Sequence, residues 1–229
     1  AHTQQEAATR IGCEVVQGYG MTETSPVLTI DCVKGGKAGA AGQLVPSTEA
    51  CLKVADPASK TGFRDAQPGE EGELWCRGPQ VMPGYLNRPD ATAETLVDGF
   101  VRTGDIATVD NEGNFFIVDR VKELIKVKGL QVAPAELEGL LLTHPAVADA
   151  GVVGEPDART PGDERPHAFV VLKPETQLSA VDVTNFVAGR VAAYKHVRNV
   201  TFVEEIPKSA SGKILRRVLR DRLKEGSSP

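Results

Sequence analysis

The sequence predicts a mixed α+β and α/β protein: a barrel-like β subdomain, then a small α/β domain, with a short α/β stretch ahead of both. Three observations predict it. Between Val27 and about Val118, short apolar runs alternate with Gly and Pro turns, the spacing of a small barrel or distorted sheet. After Arg120 the pattern changes to alternating helix-like and strand-like segments, as in a compact α/β domain. Residues 3–10 read as the end of a helix, and Gly18-Tyr19-Gly20 follows as a turn. The expected domains are 1–26, 27–120 and 121–229.

Taken in order, Cys13 to Gln17 is a short β-like run ending at that turn. Strands are expected at Val27–Ile30, Ala50–Val54, Gly72–Cys76 and Phe115–Val118. Asp110-Asn111-Glu112-Gly113-Asn114 lies between two apolar runs and signals a hairpin, because Gly and Asn tolerate positive φ. Ala135 to Thr143 reads as a helix, with Pro134 in its first turn and Leu137, Leu140 and Leu141 at helical spacing. Val147–Val153 and His167–Leu172 read as strands, Val181–Ala193 as an amphipathic helix, Val197–Val203 as a strand and Ile214–Lys224 as a last helix. The joint near Asp119–Lys122 is not rich in Gly or Ser, so it reads as short and specific. The tail from Gly226 to Pro229 is expected to be disordered.

Composition sets limits. The 229 residues are 41% hydrophobic and 25% charged, enough apolar material for a core. A net charge of −5 gives no overall basic field to attract nucleic acid, and the basic run from Lys208 to Lys224 reads as one solvated helix face. Cys13, Cys32, Cys51 and Cys76 form no Cys-x-x-Cys pair and no disulfide framework, which fits a cytoplasmic protein with reduced thiols. No apolar run reaches the roughly 20 residues of a membrane span. His144, His167 and His196 lack metal spacing, and Trp75, Tyr85 and Phe100 read as packing residues. The chain has no initiator Met and starts in helix-like sequence, so it is expected to be a fragment.

Three strings carry chemistry. In Gln17-Gly18-Tyr19-Gly20-Met21-Thr22-Glu23, Gly18 and Gly20 allow close backbone approach to a flat base, and Tyr19 offers a ring to stack on it. The Thr22 hydroxyl can bond a phosphate oxygen, and Glu23 supplies a hard oxygen for Mg²⁺. Asp119 through Gln131 carries Lys122, Lys126 and Lys128 at even positions; if extended, they share one face, which equally fits a charged edge strand. In Pro207-Lys208-Ser209-Ala210-Ser211-Gly212-Lys213-Ile214, Ser209, Ser211 and Gly212 favour a tight turn that projects Lys213. A fourth, weaker signal is Thr103-Gly104-Asp105 after a strand. Its carboxylate can accept two hydrogen bonds from ribose hydroxyls.

In this order the strings resemble the adenylate-forming superfamily of acyl-CoA synthetases, firefly luciferase and peptide-synthetase adenylation domains, and most nearly its 4-coumarate–CoA ligase and luciferase branch. The resemblance implies an acid–thiol ligase that uses ATP, Mg²⁺ and CoA on an aryl or acyl carboxylic acid. It implies that Gln17, Gly18, Tyr19, Thr22, Asp105, Arg120 and Lys213 contact ATP or AMP, and that Glu23 holds the metal. It assigns Lys213, Lys126 and Gln131 to the adenylate chemistry, Lys128 and Gly129 to CoA, and Lys122 to the hinge of a mobile C-terminal domain. Complete relatives run about twice this length. Their Ser/Thr/Gly-rich phosphate loop ending in Pro-Lys-Gly has no counterpart here, so residues 1–26 are expected to be a remnant of a truncated α/β subdomain and the chain alone inactive. A luciferase-like oxygenase, or a non-catalytic nucleotide- or CoA-binding module, stays open as an alternative.

Overall fold

The computed structural model of the protein describes residues 2–31, 36–210 and 212–226. Cys32, Ser211 and the tail residues 227–229, on which expectations fell, lie outside them. The chain divides into two compact units, residues 1–121 and 122–229.

The first unit opens with α1 (His2–Ile11), stopped by Gly12 at φ 73°, whose N–H bonds the Ala8 carbonyl at 2.9 Å. The strands β1 (Gly18–Tyr19), β2 (Thr29–Ile30) and β3 (Gln43–Leu44) form a small antiparallel sheet. Cys13–Gln17 is not a strand as the sequence suggested. Pairing starts only where β2 offers a partner, at Gly18 opposite Ile30. A larger, curled half-barrel sheet follows. It contains β4 (Glu49–Ala55), β5 (Phe63–Asp65), β6 (Gly72–Arg77), β7 (Leu96–Val97), β8 (Phe100–Val109) and β9 (Phe115–Arg120). Its order is β5-β4-β6-β8-β7, with β9 also paired to β8. Leu28, Leu52, Leu74, Val101 and Phe115 fill its core. The Asp110–Asn114 turn joins β8 to β9: Asp110 Oδ1 accepts from the N–H groups of Glu112 and Asn114, each at 2.9 Å, and Gly113 takes φ 82°. The sequence reading missed α2 (Pro89–Thr95), although Pro89 in its first turn is the same signal that marked Pro134.

The second unit begins with a hairpin, β10 (Ile125–Val127) and β11 (Leu130–Val132), followed by α3 (Pro134–Leu142). Next come β12 (Val147–Pro156), β13 (Glu164–Leu172), α4 (Ala180–Ala188), β14 (Asn199–Phe202) and α5 (Arg216–Gly226). β12 and β13 are antiparallel, and β14 joins β13 in parallel. Strand alternation feeds two cores. Ala150, Val152, Ala168 and Val170 pack with Leu137 and Leu141 of α3, whereas Val153 and Phe169 pack with Leu219 of α5 and with Ile206, which precedes that helix. The sheet is therefore sandwiched between helices, each buried Leu contributing about 1.5–3 kcal/mol.

Two helices differ from expectation. α4 stops at Ala188, because Gly189 is a poor helix former, and Ala193–Lys195 forms a separate 3₁₀ turn. Its start is fixed by a capping box in which the Ser179 hydroxyl oxygen accepts from Asp182 N–H. α5 begins at Arg216 rather than Ile214, since Ile214 bridges back to Lys208.

Gly151 on β12 lies under α5. A Cβ there would meet Leu219 Cδ1 at 2.9 Å and Ile206 Cγ2 at 3.3 Å. Gly151→Val is expected to overpack this face and destabilise by about 1–3 kcal/mol, read as a lowered urea midpoint at unchanged slope. An unchanged midpoint would contradict the packing.

Candidate nucleotide site and lysine hairpins

Within the first unit, three of the singled-out side chains meet. Asp105 is 5% exposed. Its Oδ2 accepts from the Tyr19 hydroxyl at 2.5 Å and its Oδ1 from Arg120 Nε at 3.0 Å. Asp105 and Arg120 are direct cross-strand partners on β8 and β9. Thr103-Gly104-Asp105 does not follow a strand, as the sequence suggested, but lies inside β8. Between the pairs Trp75–Arg102 and Glu73–Ile106, the one residue Leu74 faces these three, and Gly104 takes φ 70°. This bulge re-aims Asp105 out of the regular ladder. Thr103 Oγ1 steadies it by accepting from Asp105 N–H at 3.1 Å and donating to the Leu74 carbonyl at 2.7 Å. Burial, then the hydrogen bond to Asp105 and that carboxylate's charge, push the Tyr19 phenol well above its ordinary value, so it stays a donor.

The remainder of the Gln17–Glu23 string surrounds this clasp. Gln17 Nε2 donates to Gln4 Oε1 at 2.9 Å, tying the string to α1. Thr22 is exposed at the start of a 3₁₀ turn, Thr22–Thr24. Gly20 is needed for a reason the sequence did not show. A Cβ there would fall 1.7 Å from the Pro26 carbonyl oxygen, so the close neighbour is the chain's own backbone. A groove of about 450 Å³ runs along Gln17, Gly18, Tyr19 and Gly20, with Pro26 and Val27 as an apolar wall. Sequence reasoning did not find that wall.

Glu23 Oε1 accepts from the Tyr85 hydroxyl at 2.5 Å, while Oε2 accepts no hydrogen bond among the described residues. A carboxylate with one oxygen free of hydrogen bonds suits a hard divalent cation such as Mg²⁺. No three His, Cys, Asp or Glu side chains gather as a metal site among the described residues, so further ligands would have to come from a nucleotide or water. Tyr85 therefore does more than pack, which sequence reading did not anticipate.

In the second unit, Lys126 and Gln131 stand directly opposite each other on β10 and β11, both exposed, while Ile125 and Val132 face the core. Lys128 and Gly129 form the two-residue turn, at φ 50° and 78°, the signature of a type I′ hairpin. The single row of lysines expected from even spacing is not formed: Lys122 lies in a 3₁₀ turn, Val121–Glu123, and Lys128 at the tip, which leaves only Lys126 on a strand. Lys213 belongs to a separate hairpin. Ser209 N–H donates to the Lys213 carbonyl at 2.8 Å, Leu215 N–H donates to the Pro207 carbonyl at 2.8 Å, and Gly212 takes φ 81°. Lys213 is exposed, and its ammonium has no partner among the described residues.

This hairpin is anchored three residues on. Arg216 Nη2 donates to both Glu138 oxygens, at 2.9 and 2.7 Å, and Glu138 Oε1 also accepts from Val152 N–H at 2.8 Å. The two side chains are only 15% and 10% exposed. Arg220 pairs with Glu123 at 2.6 Å, tying α5 to the turn that contains Lys122.

Comparison with known proteins shows the family. Residues 1–86 match the AMP-binding enzyme family and residues 136–213 its C-terminal domain, together most of the chain. The chain is 44% identical over 227 residues to a putative acyl-coenzyme A synthetase of Emericella nidulans, covering 98% of this chain and 40% of that protein. It is 47% identical over 216 residues to 4-coumarate–CoA ligase 1 of Arabidopsis thaliana, covering 92% and 37%. Among solved structures, ATP-bound MatB from Rhodopseudomonas palustris superposes with a TM-score of 0.88 at 30% identity, over 99% of this chain and 44% of that one. The o-succinylbenzoate CoA synthetase MenE from Bacillus subtilis, in complex with AMP, gives 0.79 at 36% identity, over 94% and 43%. The chain belongs to the adenylate-forming superfamily. It spans about two fifths of the length of the curated relatives it matches.

Proposed function

We propose that these residues form the C-terminal part of an ATP-dependent carboxylate–CoA ligase of the 4-coumarate–CoA ligase type. In its first half-reaction a carboxylate oxygen attacks the α-phosphorus of ATP and the bond to pyrophosphate breaks, giving an acyl-adenylate. In the second, the CoA thiol attacks the acyl carbon, its proton is lost, and AMP leaves. The observation that carries this reading is the pair of separate lysine hairpins in residues 122–229, Lys213 on one and Lys126, Lys128 and Gln131 on the other. One lysine serves each half-reaction, and the unit turns about Lys122 between them.

Each residue then has a task. Asp105 and Arg120 hold the ribose hydroxyls, the Tyr19 ring stacks on the base, and Thr22 and Gln17 contact the adenylate phosphate and its surroundings. The apolar wall of Pro26 and Val27 suits the carbon skeleton of an aryl or acyl acid beside that phosphate. Glu23 would hold Mg²⁺, which neutralises phosphate charge. Lys213 places a point cation between the carboxylate and the α-phosphate, offsetting their repulsion, while Lys126 and Gln131 contact the adenylate. Lys128 and Gly129 receive CoA, whose consumption, rather than oxygen uptake, would separate a ligase from a luciferase-like oxygenase. The free thiols Cys13, Cys51 and Cys76, and the lack of any helix among the described residues long and apolar enough to cross a membrane, support a cytoplasmic setting.

The test is ATP–pyrophosphate exchange. The 229 residues alone are expected to give none, because no phosphate loop is present among them. Joined to an upstream half that carries such a loop, they are expected to give exchange that requires an aryl or acyl acid and to form an acyl-CoA when CoA is added. Exchange independent of any carboxylate, or an adenylate that CoA never discharges, would contradict the reading.

A further inference from the structure

We propose that Tyr85 is a positioning residue for the cation site, holding the Glu23 carboxylate so that one oxygen stays presented to Mg²⁺ of an Mg²⁺–nucleoside triphosphate. This rests on the proposed function and deepens it. Three observations carry it. First, the Tyr85 hydroxyl donates to Glu23 Oε1 at 2.5 Å, across 62 residues of chain, and leaves Oε2 as an unused acceptor among the described residues. Second, the same segment holds Glu23 a second time, because Met82 N–H donates to the Glu23 carbonyl at 2.9 Å. Backbone and side chain of one residue are thus gripped from one loop.

Third, the loop itself is braced. Tyr85 N–H donates to Thr92 Oγ1 at 2.9 Å, and Thr92 Oγ1 donates to the Arg88 carbonyl at 2.8 Å, so the first turn of α2 fixes Tyr85. Gly84, at φ 149°, leaves the space in which Thr92 sits: a Cβ there would lie 2.8 Å from Thr92 Cγ2. The braced loop spends its one aromatic hydroxyl on a half-exposed carboxylate, and the consequence is geometric. An unheld Glu side chain samples several rotamers, and partners that orient metal-binding carboxylates typically change metal affinity by about 10–100-fold when removed. Tyr85 withdraws one acceptor and fixes the plane of the carboxylate, which defines the direction from which a cation reaches Oε2.

The experiment measures binding of a non-hydrolysable ATP analogue by calorimetry across a Mg²⁺ titration, in the complete ligase, for wild type, Tyr85→Phe and Glu23→Gln. Tyr85→Phe is expected to raise the half-saturating Mg²⁺ about tenfold, with analogue affinity recovered at saturating Mg²⁺ and an unchanged melting temperature within a few degrees. Unshifted Mg²⁺ dependence in Tyr85→Phe, alongside a shift in Glu23→Gln, would overturn the positioning role while leaving the site intact. Equal weakening of Tyr85→Phe at every Mg²⁺ concentration would also overturn it, as a merely structural contact. Unshifted Mg²⁺ dependence in Glu23→Gln itself would instead sink the assignment of Glu23, and the proposed cation site with it.

Discussion

Lys213→Ala is expected to lower ATP–pyrophosphate exchange by about 10²–10³-fold while leaving thioester formation from a preformed acyl-adenylate near its wild-type rate. The magnitude is that of one preorganised electrostatic contact to a developing charge, about 3–4 kcal/mol. Selectivity follows from where the lysine sits. It is exposed on its own hairpin with no ion pair among the described residues, so truncation leaves no buried partner stranded and the fold is undisturbed. Lys128→Ala is expected to do the converse, slowing thioester formation while adenylation persists, because Lys128 occupies the tip of the other hairpin. Single-turnover assays of each half-reaction read both. Loss of both activities in each variant would contradict the division of labour.

Glu138→Ala has the largest expected effect on stability. Arg216 is 15% exposed and places two hydrogen bonds on Glu138, which also accepts the outward N–H of Val152 on β12. Removing the carboxylate strands a guanidinium and a backbone N–H together. Breaking a buried pair on one side typically costs about 3–5 kcal/mol. Because Arg216 begins α5 directly after the Lys213 hairpin, the loss is also expected to loosen Lys213. Hydrogen exchange across β12 and α5 should show the lost protection in Glu138→Ala, and a Glu138→Leu, Arg216→Met pair should recover much of it, since the penalty comes from an unpaired charge. Full protection in Glu138→Ala would show that the pair is dispensable.

What was legible in the sequence is what local chemistry marks. Pro134 with Leu137, Leu140 and Leu141 marked α3, and Asp110–Asn114 marked the β8–β9 turn, because first-turn proline, helical period and positive-φ residues act within a few positions. The strings around Tyr19, Lys126 and Lys213 were legible as a family pattern. Their three-dimensional partners were not. Tyr19 meets Asp105 across 86 residues, Glu23 meets Tyr85 across 62, and Glu138 meets Arg216 across 78. No periodicity records such pairings, which arise when two strands or a strand and a loop are brought together by burial elsewhere. Local pattern also misled where apolar spacing outlasted the element. Val191 and Tyr194 continue the rhythm of α4 and pack on the same core, yet they do so beyond Gly189, outside the helix. The even spacing of Lys122, Lys126 and Lys128 suggested one strand face, but a 3₁₀ turn and a type I′ turn interrupt it.

The proposed function requires residues 122–229 to take two orientations, each bringing a different lysine to one adenylate. Spin labels on exposed positions of the two units, Lys60 and Arg217, allow the separation to be measured in the complete ligase. With ATP and a carboxylic acid the account predicts one distance distribution, and with a stable acyl-adenylate mimic plus CoA a second, well separated one. A single distribution, unchanged by either set of ligands, would contradict it.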